Sequence, residues 1–245
     1  MVVRSLRVFQ HFRELVGGEA GYVGCGALIG VSKEMLPALR KGIETQTALG
    51  IRAELLAPAE AHRIEPRINP EGLGGLLYEP ESGYGDPTGA THGYAAHARG
   101  RGVIIEQGVE VTEIQVTADR VVGVTTASGE TIEAPVVVNA AGLWAPAVAR
   151  LAQVELPLVI GRHPVFIVKR PATFGPSHLV YLDLGGGSYV RPETGDLTLT
   201  GALTEDETRY PMDPELLGSE VGFEEAAQAL ERTSRAVPRL AYGQY

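Results

Sequence analysis

Apolar and polar positions repeat along this chain with two periods. At helical spacing, Leu6, Val8, Phe9, Phe12 and Leu15 share a face within Ser5–Val16. Met35, Leu36, Leu39, Ile43 and Ala48 repeat in the same way between Ser32, a candidate N-cap, and Gly50, a candidate stop. Short apolar runs between turn residues predict strands at Tyr22–Gly24, Gly26–Val31, Ile51–Leu56 and Gly72–Tyr78, with a short helix from Pro58 that Pro66 ends. Asp86-Pro87 reads as N-cap and first helical residue of a helix reaching Arg101. Strands follow at Val103–Glu106, Val109–Val116, Val121–Thr126 and Glu130–Ile132. Turns at Asp119-Arg120 and Ser128-Gly129 make the last three a meander. Beyond residue 155, runs at Leu156–Lys169, Leu179–Asp183, Tyr189–Arg191 and Leu197–Gly201 predict an antiparallel sheet, with helices at Asp213–Leu217 and Phe223–Arg235.

The stretch Pro135-Val-Val-Val-Asn-Ala-Ala-Gly-Leu-Trp144 stands apart. An uninterrupted valine run predicts a strand buried on both faces, hence parallel to its neighbours. A helix pattern from Trp144 to Val154 follows, with Pro146 in the first turn, where a missing N–H costs little. The small residues between are either a tight connection or a turn that a ligand approaches closely. Free N–H groups where a helix starts suit an anion. A second glycine cluster, Gly24-Cys-Gly26-Ala-Leu-Ile-Gly30, imitates a dinucleotide loop. It lacks the long preceding strand and a helix starting within it, so it reads as strands.

The segment Val137-Val-Asn-Ala-Ala-Gly-Leu-Trp-Ala145 resembles the signature of FAD-dependent oxidoreductases of the D-amino-acid oxidase superfamily, most nearly the sarcosine oxidase and glycine oxidase branch. The resemblance implies an α/β fold in which part of an FAD-binding, Rossmann-like domain is interleaved with a mixed-sheet substrate domain. Its expected limits are 1–85 for the first substrate-domain elements, 86–154 for the FAD-binding part and 155–245 for the remaining substrate-domain sheet and C-terminal helix. It implies FAD contacts from Asn139, Ala140, Ala141, Gly142 and Trp144. It also implies a contact from the backbone of Val111, in a strand similar to the one that meets the adenine. Gly187-Ser-Tyr-Val-Arg-Pro192 is similar to the family strand that passes the flavin's substrate face. Arg191 is then a candidate fork for a substrate carboxylate and Tyr189 a substrate-facing hydroxyl. His163 resembles a flavin-proximal histidine of sarcosine and dimethylglycine dehydrogenase relatives, able to take or hold a proton. The reaction implied is oxidation of a secondary amine or amino acid by hydride transfer to flavin, with oxygen or another acceptor taking the electrons and room for a further subunit. A flavin dehydrogenase of hydroxy acids or glycerol phosphate is the alternative within the superfamily. A non-catalytic remnant is the alternative outside it. The family's glycine-rich pyrophosphate loop and its C-terminal flavin segment have no counterpart here, so the chain is expected to be an incomplete flavoenzyme that holds FAD weakly or not at all by itself.

Composition narrows the field. The 245 residues carry a net charge of −9 and no basic run, which argues against nucleic acid or an anionic membrane surface as partner. A single cysteine, Cys25, forbids an intrachain disulfide and, in apolar company, reads as a structural thiol. No stretch has transmembrane length or signal-peptide character, so a cytoplasmic location is expected. The histidines at 11, 62, 92, 97 and 178 have no ligand spacing, so no metal site is expected. No Gly-x-Ser-x-Gly elbow occurs, and the paired acids Asp206 and Glu207 read as solvated loop.

Overall fold

The computed structural model describes residues 2–203, 214 and 222–244. Contacts divide the chain into two compact units: residues 1–102, 163–207 and 220–245 in the first, and 103–162 with 208–219 in the second.

The first unit is built on seven strands: β1 (Ala27–Val31), β2 (Glu54–Leu56), β3 (Gly75–Glu79), and four from the later chain. Those four are β7 (Val165–Lys169), β8 (Val180–Asp183), β9 (Ser188–Pro192) and β10 (Leu197–Ala202). Their order is β2-β3-β1-β8-β9-β10-β7. Only β1 and β8 pair in parallel; the other five pairings are antiparallel, so the sheet is mixed. The Gly24–Gly30 cluster leads into and forms β1, between β3 and β8, and is a strand as expected. One sheet face is covered by α7 (Phe223–Ala236), α4 (Ala61–Ile64) and residues 65–73, around a core of Leu28, Leu76, Val168, Phe174, Tyr181, Val190 and Leu240. Burying an aliphatic side chain of this size is worth roughly 1.5–3 kcal/mol. Polar pairs also fix α7: Thr233 and Thr200, both buried, share a hydroxyl hydrogen bond of 2.6 Å.

A smaller cluster of Phe12, Ala20 and Ala90 joins α1 (Val2–Gln10), α2 (Phe12–Leu15) and α5 (Pro87–Gly100). Tyr94 meets Phe12 edge-on at 5.3 Å. This packing holds α5 in the first unit, whose first segment ends at Gly102. Asp86 caps α5 as expected, accepting from the amides of Thr88 and Gly89. Ser32 does not cap α3, which spans Leu36–Ala48 after a turn at residues 33–35.

The second unit contains the expected meander: β4 (Val111–Thr117), β5 (Arg120–Thr126) and β6 (Thr131–Glu133) in an antiparallel sheet. Its first turn falls one residue early, on Ala118 and Asp119, both with positive φ as a tight two-residue hairpin requires. Two predicted strands are absent. Val103–Glu106 and Val136–Val138 are irregular, and Val136 and Val138 are 72% and 82% exposed. A strand is held by hydrogen bonds from its neighbours, and no described residue pairs with either run. The following helix, α6, is shorter than expected, covering Ala145–Arg150 after a 3₁₀ turn at Gly142–Trp144. The run Leu156–Lys169 becomes a strand only from Val165. The expected helix at Asp213–Leu217 and the acids Asp206 and Glu207 lie outside the described residues.

Candidate functional site

Residue alternation along β9 sets up the site. Ser188, Val190 and Pro192 are buried, while Tyr189 and Arg191 are half-buried on the opposite side. The two candidate substrate residues therefore share the face that α7 does not cover. Leu182 stands across from Tyr189 on β8 and Leu199 across from Arg191 on β10, so each of the polar pair has an apolar neighbour on that face. Gly201 also faces Tyr189 from β10. A Cβ there would lie 2.7–2.8 Å from the Tyr189 ring and hydroxyl, so glycine is what lets the ring lie across the neighbouring strand.

The structure brings His163 and Tyr189 together. His163 Nε2 is 3.3 Å from the Tyr189 hydroxyl, and the rings stack at 5.7 Å with 16° between their planes. The imidazole and phenol are thus placed to exchange a proton between Nε2 and Oη.

Arg191 is held from two sides. Its Nη2 donates to Glu193 Oε2 at 2.8 Å, and its guanidinium carbon sits 4.8 Å from the centre of the Tyr84 ring. Tyr84 is fixed through its backbone by reciprocal hydrogen bonds with Val23, 2.8 and 3.1 Å long. Burial pushes the Tyr84 hydroxyl above its ordinary range, with Cys25 and Glu193 adding to the shift, so it stays protonated. Burial likewise raises the Cys25 thiol, which donates to the Gly26 carbonyl. Cys25 is half-buried and accords with a structural thiol. Tyr84 and Glu193 were not singled out in the sequence. Glu193 carried a signal, since it lies two residues past Arg191 at the end of a strand; Tyr84 carried none, since only the fold brings residue 84 beside residue 191.

In the second unit, Asn139 ties the small-residue turn together. Its Oδ1 accepts from the Ala141 amide at 3.2 Å and its Nδ2 donates to the Ala145 carbonyl at 2.9 Å. Gly142 has φ +54°, and no heavy atom lies within 4 Å of the position its Cβ would take. Asn139, Ala140 and Gly142 are exposed, Ala141 is half-buried, and Trp144 is 46% exposed. The turn is thus open to close approach rather than packed in a core. Val111 begins β4, an edge strand whose outer side has no partner among the described residues. These features suit one side of a nucleotide. No glycine-rich pyrophosphate cradle occurs among the described residues, because the one similar run is β1. No group of three or more histidine, cysteine, aspartate or glutamate side chains there is arranged to hold a metal ion. No described helix is long and apolar enough to cross a membrane.

Behind the sheet, His178 is buried with Nδ1 2.7 Å from the Leu179 carbonyl and Nε2 2.8 Å from the Thr198 hydroxyl. Burial lowers its pKa to about 4, and the guanidinium groups of Arg170 and Arg67 add to the effect. Arg67 is spent on the Glu65 carboxylate and the Ser177 carbonyl, Arg170 on the carbonyls of Leu197 and Gly195, and both lie over Phe174. This is a structural polar cluster.

The family model described as FAD dependent oxidoreductase, DAO, matches residues 1–244. The chain is 35% identical over 169 residues to the mitochondrial sarcosine dehydrogenase of Homo sapiens, covering 66% of this chain and 18% of that protein. It is 30% identical over 217 residues to the 4-methylaminobutanoate oxidase (formaldehyde-forming) of Paenarthrobacter nicotinovorans, covering 85% of this chain and 25% of that protein. The chain therefore spans a quarter or less of the length of these curated relatives. Among solved structures, L-proline dehydrogenase from P. horikoshii superposes with a TM-score of 0.83 at 21% identity, covering 98% of this chain and 63% of that one. With both its sequence and its mixed α/β architecture matched from end to end, the chain belongs to the DAO family of FAD-dependent oxidoreductases.

Proposed function

We propose that this chain forms the substrate side, and one edge of the cofactor side, of an enzyme that oxidises a secondary amine or amino acid with FAD. The observation that carries the reading is the face of β9 away from α7, which Tyr189 and Arg191 share with their cross-strand neighbours Leu182 and Leu199. Arg191 holds the substrate carboxylate through a charge-assisted hydrogen bond. The apolar neighbours Leu182 and Leu199 lower the local polarity and strengthen that contact. An amine must lose its ammonium proton before the neighbouring carbon can be oxidised. His163, stacked on Tyr189, is placed to take that proton at Nε2, and the Tyr189 hydroxyl to orient the nitrogen. The backbone from Asn139 to Gly142, with Trp144 and Val111, holds the FAD nucleotide, and bound FAD supplies the two-electron acceptor. A phosphate-bearing substrate suits the site less well, since Glu193 already offsets the charge of Arg191.

Two measurements test this. First, the 245-residue chain mixed with FAD is expected to stay colourless after gel filtration; a stoichiometric flavin band would show that it contains its own phosphate cradle. Second, the chain extended by the segments that flank it in its relatives is assayed for peroxide and for acceptor reduction. Sarcosine, dimethylglycine, proline, glycine and a hydroxy acid are the substrates. Turnover of an amine is expected. Turnover of the hydroxy acid alone defeats the amine reading, and no flavin and no turnover in the extended protein favours a non-catalytic role.

A further inference from the structure

We infer that Tyr84 and Glu193 are positioning residues that hold the Arg191 guanidinium in one orientation for a substrate carboxylate, an inference that rests on the role proposed for Arg191. An arginine at a half-exposed strand end samples many rotamers, and a ligand that needs one of them binds more weakly in proportion. Here two contacts remove that freedom. Glu193 accepts a hydrogen bond from Nη2 at 2.8 Å, and the guanidinium carbon lies 4.8 Å from the Tyr84 ring centre. Glu193 is itself anchored, because its other oxygen accepts from the Thr194 amide at 2.9 Å. Pro192, between the two, is buried on the opposite side of the strand, so Arg191 and Glu193 are kept on one side.

The remaining N–H groups of Arg191 have no hydrogen-bond partner among the described residues. A guanidinium pinned at one nitrogen and held over a ring presents its other N–H groups as a fork, the geometry a carboxylate matches. Glu193 therefore acts as a tether rather than as a competitor for the same donors. Tyr84 acts through its ring, not its hydroxyl, which stays protonated.

The experiment uses the FAD-loaded extended protein, with acetate as the simplest carboxylate and methylamine as a control that lacks one. Binding is titrated through the perturbation of the flavin spectrum. Arg191→Ala is expected to abolish acetate binding. Tyr84→Leu and Glu193→Ala are expected to weaken it about tenfold. Tyr84→Phe, which keeps the ring, and Glu193→Gln, which keeps the acceptor oxygen without its charge, are expected to restore it. Methylamine binding is expected to be the same throughout, which separates a local effect from a misfolded variant. With a turned-over amino acid, the two damaging variants raise KM and leave kcat within a factor of about two. If Arg191→Ala removes acetate binding while Tyr84→Leu and Glu193→Ala bind as the parent does, the positioning roles are wrong and the carboxylate role of Arg191 stands. Tighter acetate binding in Glu193→Ala makes Glu193 a competitor and overturns the inference. Unchanged binding in Arg191→Ala, or none in the parent, removes the role of Arg191 itself.

Discussion

Two apolar runs of nearly the same local character end differently in this molecule. Val180–Asp183 is the middle strand of the first unit's sheet, with β1 parallel on one side and β9 antiparallel on the other. Val136–Val138, with the stronger β-former content, pairs with nothing described and is largely open to solvent. The contrast teaches that strand propensity is a statement about fit to a neighbour and is realised only where one is present. It also separates two kinds of site: Tyr189 and Arg191 stand on a seven-stranded sheet, whereas the Asn139 turn follows a run that no described strand pairs with.

Stability measurements offer the widest separation between the two regions. Leu76, fully buried between β1 and β2, is expected to cost about 2–5 kcal/mol when truncated to alanine. Val138→Ala is expected to fall within about 0.5 kcal/mol of the parent, as exposed substitutions do. Chemical denaturation read by tyrosine and tryptophan fluorescence checks both. A large loss from Val138→Ala would mean that the run is paired in solution, and the contrast would collapse.

Acid should also discriminate between them, with a somewhat smaller effect. Among described residues the second unit buries one polar side chain, Thr126, while the first buries Glu65, Arg170, His178 and several hydroxyls. His178 has a folded pKa lowered to about 4 from an unfolded value near 6.5. A histidine depressed in this way is neutral when folded. Between those two values the unfolded chain binds the extra proton, so stability falls as pH drops from about 6.5 toward 4 and is flat above that window. The full depression is worth about 3 kcal/mol at most. Asp183, whose carboxyl burial raises, pulls the other way at the acid end of that range. Denaturant midpoints at pH 7.5, 5.5 and 4.5 should show the loss, and His178→Gln should flatten it. An unchanged slope in that variant would assign the acid sensitivity to another group.

The sequence was most legible where local chemistry alone decides the structure. Asp86-Pro87 announces a capped helix start, and the meander's turns lie within a residue of their expected places, because cap and hairpin geometry depend on two to four adjacent residues. The alternation that turns Tyr189 and Arg191 to one face was likewise readable. The tether and stacking partner of Arg191 were not equally visible, since Glu193 is near in sequence and Tyr84 is over a hundred positions away. Ser32 misled because Ser-Lys-Glu-Met satisfies the cap pattern, yet the chain first makes a turn and the helix waits for Leu36-Pro37. The valine run misled for the opposite reason, its pattern being right and its neighbours absent from the described residues.

The smallest expected difference compares one device used twice. Asp86 and Asn139 each accept the amide two residues ahead through a side-chain oxygen, at 2.9 and 3.2 Å. Asp86 also takes the Gly89 amide at the head of a fourteen-residue helix that is packed on Phe12, so Asp86→Ala removes a cap from an element the core depends on. A loss of about 1 kcal/mol in global stability is expected. Asn139→Ala removes two hydrogen bonds from an exposed turn, and water replaces both, so global stability should change by only a few tenths of a kcal/mol. Its effect should be local: faster amide exchange at Ala141 and, in the extended FAD-loaded protein, weaker retention of flavin on dialysis. If Asn139→Ala instead lowers global stability as much as Asp86→Ala does while flavin retention is untouched, the turn is a structural staple and its assignment to the cofactor fails.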